Sequence, residues 1–275
     1  MPDKRPFDHS WLNVPRPPKE WKVLPHGKLT KLDDNLLTVT GELHVPMALP
    51  RRMTVVRLND ARLVIFSAIA LDAKEMTVLE AFGRPAFLIV PSDKHRLDAK
   101  AWKLRYPSIQ VIAPEGSRAR VQKKVPVDTA TPAFADPNVQ FVTVPGTGGK
   151  EAALVVHSPN GTTLVLNDLV GNIKNESGVG GWVLRMAGFA GDQAQIPRVV
   201  KKILVKDPDA LRAQLLEWSE IETLKRILVS HGARIAENPR EVLRELARTL
   251  DAATSAERHV VGVESANDHR GGPVA

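Results

Sequence analysis

The sequence predicts a layered α/β protein: two β-rich halves packed as sheets, with helices outside. Three observations predict it. Strand-like runs come first, helix and strand alternate after them, and the same succession returns in the second half of the chain. With 275 residues, 43% of them apolar and 25% charged, the chain can bury the core such a fold needs, which excludes a disordered protein.

Each element has its own signal. Six prolines in the first 33 residues mark residues 1–33 as an extended N-terminal arm lying across the domain. Asn35–Thr40, Arg52–Leu58 and Arg62–Ser67 are rich in Val, Ile, Leu and Thr and are parted by turn residues such as Asn59-Asp60, as in an antiparallel meander. Asp72–Phe82 carries helical spacing through Met76, Leu79 and Phe82 and closes at Gly83. Ala86–Val90 then reads as a buried strand, Ala99–Arg105 as a helix and Ile109–Ala113 as a strand.

In the second half, Val139–Val144, Ala152–His157 and Thr162–Leu166 are predicted strands, the last two joined through the hairpin turn Ser158-Pro159-Asn160-Gly161. Asp207–Trp218 is an amphipathic helix and Arg226–Val229 a buried strand. Pro239–Leu250 is a second helix, capped by Asn238 with Glu241 in its first turn. The domain therefore covers 34–252, and residues 253–275, which lack periodicity, form a mobile tail. Gly178–Gly191 sets five glycines around Trp182, Val183, Leu184, Met186 and Phe189; it is either a tightly packed buried helix or a lid or partner-binding segment on glycine hinges.

Composition narrows the chemistry. The absence of cysteine excludes disulfides, thiolate nucleophiles, iron–sulfur clusters and cysteine-ligated zinc, so any metal must be held by His, Asp and Glu. No apolar run approaches the roughly 20 residues of a bilayer span, and Met1–Pro18 lacks the hydrophobic region of a signal peptide; a cytoplasmic location is expected. The formal charge of +7 can be matched by one stretch, Lys94–Lys124, with nine Lys/Arg against Asp98 and Glu115. Only Trp102 and Tyr106 there could stack a base, so a small anionic ligand fits better than a nucleic acid.

Of the eight histidines, His95 and His231 stand out because they follow the apolar runs Phe87–Val90 and Ile227–Val229. Asp168 follows Leu164–Leu166 in the same way. Polar residues just past the carboxyl ends of buried strands are where layered α/β proteins assemble sites, because a rigid strand aims the side chain and the loop leaves room for ligand. Two imidazoles and one carboxylate are a sensible donor set for one Zn or Fe with an open position. His157, which ends a strand before a turn, reads as structural or exposed.

The order of these motifs resembles the metallo-β-lactamase superfamily and, more narrowly, an uncharacterised branch of it, a domain of unknown function. Val144-Pro145-Gly146-Thr147 resembles its Pro-Gly-His turn, Asn167-Asp168-Leu169-Val170 its Gly-Asp-x-Leu strand end, and Ser230-His231-Gly232 its final Gly-His-Gly. Pro91–Asp98 falls where the family carries His-x-His-x-Asp-His. The resemblance spans roughly residues 35–250 and implies a four-layer αββα sandwich. The departures imply a degenerate site. In one register the first motif reads Ser92, Lys94, Arg96, Leu97, with no ligand; shifted by one it reads Asp93, His95, Leu97, Asp98. In either register Thr147 replaces a histidine.

Two functional expectations follow for this fold, and a third for any basic surface. The first is a hydrolase acting on an anionic or ester-like small molecule, with at most one metal on His95, Asp168 and His231, Asp168 and His231 being catalytic, and Asp93 or Asp98 as further donors. The second is a metal-free anion-binding protein in which Lys94 and Arg96 ion-pair with Asp168 and hold the ligand. The third is an interaction protein docking through the basic stretch or through Gly178–Gly191, ranked last.

Overall fold

Alternation of side chains along the strands sorts the apolar residues into three separate cores, and three cores between layers mean four layers. The computed structural model describes residues 19–44, 48–173, 191 and 193–250. In β4 (Arg62–Phe66), Leu63 and Ile65 face one way and Val64 and Phe66 the other. In β9 (Gly161–Asn172) and β10 (Leu224–Gly232), Leu164, Leu166, Ile227 and Val229 face outward helices, while Val165 and Leu228 face the other sheet. The middle core joins Leu36, Val56, Phe66, Phe87 and Ile89 of one sheet to Leu154, Val156, Val165 and Leu228 of the other. The chain is thus an αββα sandwich, as its motif order implied.

The first sheet has six strands in chain order: β1 (Thr30–Asp33), β2 (Leu36–His44), β3 (Ala48–Arg57), β4, β5 (Arg84–Ile89) and β6 (Gln110–Ile112). β1 to β4 pair antiparallel, and β4, β5 and β6 pair parallel through the crossover helices α1 (Ala73–Phe82) and α2 (Ala99–Arg105). Helix α1 begins where predicted because the Asp72 carboxylate accepts from the Glu75 N–H at 2.9 Å, a cap worth about 1 kcal/mol. Trp102 of α2 is fully buried and packs in a tilted contact, ring centroids 5.4 Å apart, against Trp21, whose indole N–H donates to the Leu71 carbonyl. The described part of the first 33 residues therefore lies against this sheet, and its last four residues are the edge strand β1.

The second sheet runs β10, β9, β8 (Ala152–Ser158), β7 (Val139–Thr143); only the β9–β10 pair is parallel. Its outer face is covered by α4 (Arg198–Leu204), α5 (Pro208–Ser219) and α6 (residues 239–250) through Val200, Leu211, Leu215, Trp218, Leu243 and Leu246. Three features differ from the sequence expectation. α3 (Glu115–Val121) and α4 stand where the sequence marks no element, and β9 runs six residues beyond Leu166.

The charge-rich stretch is also less one-sided than its sequence. Lys100 pairs with Glu20, Lys103 with Asp128, Arg105 with Glu80, Arg118 with Glu115 and Arg120 with Asp93. Four of those five acids come from outside the stretch or flank its loop, so folding mixes charges that the sequence separates. No helix among the described residues is long and apolar enough to cross a membrane. Nearly all of Gly178–Gly191, Met1–Pro18 and the 253–275 tail lie outside the described residues.

Candidate metal centre

The carboxyl ends of β4, β5, β9 and β10 open onto one cavity of about 460 Å³. Its floor is made by Ser67, Ser92, His95, Asp168 and His231, its rim carries Lys94, Arg120 and Lys150, and Val199, Ile203 and Leu97 form an apolar wall. Those three apolar side chains are all exposed.

Asp168 reaches the cavity because β9 swells there. The pairing with β10 jumps from Leu166↔Val229 to Gly171↔His231, so Asn167–Val170 stand opposite the single residue Ser230. Such a bulge re-aims side chains without ending the strand. It also lets Asn167, Asp168 and Gly171, poor strand formers, sit inside a twelve-residue strand. Asn167 is held behind it, accepting from the Ser230 hydroxyl at 2.8 Å and donating to Glu151 at 3.2 Å.

The three candidate donors from distant parts of the chain meet. His95 Nε2 lies 2.8 Å from Asp168 Oδ1 and His231 Nε2 3.1 Å from the same oxygen, and one donor atom from each residue lies within 4.8 Å of the others. Each ring is oriented from behind. His231 Nδ1–H donates to the Pro50 carbonyl at 2.7 Å, and His95 Nδ1 shares a 2.8 Å hydrogen bond with the Ser67 hydroxyl. Fixing Nδ1 this way leaves Nε2 aimed inward, the arrangement that a metal-binding histidine needs. Gly232 follows His231 at φ 108°, where an added Cβ would meet the Asn172 carbonyl at 2.1 Å, so only glycine lets β10 end beside β9 in this way.

Electrostatics follow from the same contacts. Burial works to raise the Asp168 pKa, yet the His95 charge and hydrogen bonds from both imidazoles outweigh it and hold the carboxyl well below its usual range. Burial works against a charged His231, but the hydrogen bond and charge of Asp168 and the Pro50 carbonyl raise its pKa. Glu151, buried beneath the bulge, is pushed well above the usual range by burial and then by repulsion from Asp168. Its Oε2 has no hydrogen-bond partner among the described residues.

The remaining sequence candidates stand outside the donor set, although Asp93 and Lys94 line the same cavity. Asp98 precedes α2 without capping it, its carboxylate pairing instead with the buried Arg51 at 2.5 Å, and Asp93 pairs with Arg120 at 2.8 Å. Neither joins the donor set, so of the first motif only His95 faces Asp168. Lys94 lines the cavity; the Arg96 guanidinium instead donates to the Arg120 carbonyl at 2.5 Å. Asp168 is therefore paired with His95 and His231, and not with Lys94 and Arg96 as the metal-free expectation had it. Thr147 is fully buried and its hydroxyl donates to the Val144 carbonyl at 2.6 Å, closing its own turn. The preceding Gly146 has φ 76°, and a Cβ there would meet the Asp207 carbonyl at 2.2 Å. The turn thus survives while its imidazole does not.

Sequence reading missed Ser67, Ser92, Glu151 and Arg51. Ser67 follows the apolar run Leu63–Phe66, so the strand-end criterion that selects Asp168 selects it equally. Arg51 and Glu151 carry no such signal, since their charges are explained only by Asp98 and by the bulge, both distant in sequence.

Comparison with known proteins agrees with this geometry at the level of the fold. No family model matches the chain, and no curated protein matches it by sequence. Solved structures do. The FIM-1 metallo-β-lactamase of Pseudomonas aeruginosa in its mono-zinc form is 13% identical, with a TM-score of 0.55 over 83% of this chain and 97% of that one. The DIM-1 metallo-β-lactamase is 14% identical, with a TM-score of 0.54 over 83% and 99%. A metallo-β-lactamase from Erythrobacter litoralis is 11% identical, with a TM-score of 0.56 over 80% and 96%. With its four-layer sandwich and these structural likenesses, the chain has the metallo-β-lactamase fold.

Proposed function

We propose that this protein is a hydrolase that holds one metal ion, Zn or Fe, on His95, Asp168 and His231 and acts on an anionic or ester-like small molecule. The observation that carries the reading is the convergence of two Nε2 atoms and one carboxylate within 4.8 Å on the floor of a cavity. The donor set fits such an ion. It is two neutral-capable imidazoles with Nδ1 occupied from behind and one carboxylate that stays ionised. When bound, the ion supplies Lewis acidity, polarising a carbonyl group or acidifying water.

The chain's own residues do the rest. Asp168 and His231 form the rigid part of the site, tied to the β9 bulge and to Pro50, while His95 comes from the loop after β5. Ser92 donates to Asp168 Oδ2 at 3.3 Å and keeps that oxygen turned inward. Lys94 and Lys150 at the rim attract and orient an anionic substrate, and Arg96 acts at one remove by bracing the Arg120 backbone. The apolar wall of Leu97, Val199 and Ile203 excludes water from the substrate's uncharged part. Metal analysis of the purified chain, before and after incubation with Zn, Fe and Mn, tests the reading. One ion per chain in the wild type and none in Asp168→Ala is expected; no uptake by the wild type would reject it.

A further inference from the structure

Large apolar side chains exposed on the described surface gather around this one cavity. Six are exposed, and three of them line it: Leu97 at 59%, Val199 at 38% and Ile203 at 62%. Val199 and Ile203 lie four residues apart and so share a face of α4, while the adjacent Val200 and Leu204 anchor that helix in the core. The helix is thus apolar on two faces, the inner one in the core and the outer one on the cavity. The wall is also aliphatic throughout. No Phe, Tyr or Trp among the described residues lines the cavity, so a planar ring finds no stacking partner there.

The charges of the cavity are uneven in the same way. Its acids are engaged, Asp93 by Arg120, Asp168 by the two imidazoles and Glu151 by Asn167. The ammonium groups of Lys94 and Lys150 have no ion-pair partner among the described residues. Both backbones are held, the Lys94 N–H donating to Ser92 Oγ at 3.3 Å and the Lys150 carbonyl accepting from the Ser117 hydroxyl at 2.8 Å. Two unpaired cations beside exposed aliphatic surface complement a molecule that is anionic at one end and aliphatic at the other.

We propose that the substrate is a carboxylic ester of an unbranched aliphatic acid whose alcohol half carries an anionic group. The acyl chain lies along Leu97, Val199 and Ile203, and the anionic group is held by Lys94 and Lys150. This substrate class rests on the hydrolase reading above, because the ester is cleaved at the donor cluster on the floor of the same cavity. In the cleavage the oxygen of a water molecule bonds to the acyl carbon, and the bond from that carbon to the alcohol oxygen breaks. One proton of the water ends on that oxygen, so an aliphatic acid and an anionic alcohol leave. Burial supplies the selectivity: each methylene moved from water onto such a wall tightens binding about fourfold, the factor equivalent to about 0.8 kcal/mol.

The test titrates the full chain, by calorimetry, with hexane-, octane- and decanesulfonate below their micellar concentrations. One molecule bound per chain, with affinity rising about fourfold per methylene, is expected. Leu97→Ser combined with Ile203→Ser, both at exposed positions that the fold does not depend on, should flatten that rise. Lys94→Ala combined with Lys150→Ala should weaken every member at least about tenfold and keep the rise. With zinc restored, para-sulfophenyl nonanoate should be hydrolysed with a kcat/KM at least about tenfold above that of para-sulfophenyl acetate. Equal affinity across the series, an unchanged rise in the Leu97 and Ile203 double variant, equally tight binding of decyltrimethylammonium, or binding only of micelles or anionic phospholipid vesicles would overturn the proposal. Metal content of the same samples separates the two readings. A chain that takes up one ion but shows no dependence on chain length loses only the aliphatic substrate, whereas one that binds the series and takes up no ion loses the hydrolase reading and with it the ester cleavage.

Discussion

The two ends of the sandwich carry polar residues of the same kinds and use them in opposite ways. At one end, His231 closes β10 with Nδ1–H on a carbonyl, and its Nε2 faces a carboxylate on a cavity floor. At the other, His157 closes β8 with Nδ1 on the Thr162 hydroxyl at 2.9 Å, and its own carbonyl accepts from Asn35. Asp168 and Asp33 differ in the same manner. Asp33 accepts from Asn160 at 3.1 Å and from its neighbour's N–H, and lies 3.6 Å from Arg226. Among the described residues, the Asp168 carboxylate bonds Ser92, His95 and His231, side chains that themselves reach the cavity. A histidine and an aspartate at strand ends are therefore not in themselves a site. The site end differs in that its hydrogen bonds hold the side chains from behind, while those at the far end tie the side chains to the ladder and turns.

That contrast can be broken by mutation. The largest effect is expected from Asp168→Ala, which removes the oxygen shared by both imidazoles: metal affinity should fall by at least about 100-fold, measured by titration calorimetry. Asp33→Ala at the far end should cost about 3 kcal/mol in urea unfolding, because it leaves Arg226 buried without its carboxylate, and should leave metal uptake unchanged. A parallel loss of metal would show that the two ends are not separate. Gly232→Ala is expected to cost on the order of 2 kcal/mol through the clash with Asn172 and the positive φ, and to weaken metal binding by displacing His231. The smallest effect is expected from His157→Ala, about 1 kcal/mol from the lost hydrogen bond to Thr162, with metal binding intact.

What the sequence made legible follows the same line. Asp168, His231 and His95 could be found because each follows an apolar strand, and the alternation within those strands also fixes the four layers. Ser67 satisfies the same rule, but a lone serine carries no ligand chemistry until His95 is seen beside it. The continuation of β9 through Asn172 is hidden by the poor strand formers Asn167, Asp168 and Gly171, which read as the end of the strand, whereas Asn167–Val170 form a bulge and pairing resumes at Gly171. Helix α4 was hidden because Arg198–Leu204 is only seven residues long and its buried Val200 and Leu204 give a single pair of apolar contacts. The choice between registers in Pro91–Asp98 depended on which acids had partners. Arg120 and Arg51 take Asp93 and Asp98, and neither pairing can be read from spacing. The charge balance of Lys94–Lys124 is hidden from the sequence for the same reason, since acids such as Glu20, Glu80, Asp93 and Asp128 pair with it only on folding.

The claim that the site end is a metal centre is tested most directly by titrating the wild-type chain with Zn while metal content is read by plasma mass spectrometry after gel filtration. One ion retained per chain, and none when His231 is replaced by Ala, is the predicted result. A wild type that retains no ion, or a His231→Ala variant that retains as much as the wild type, would contradict it.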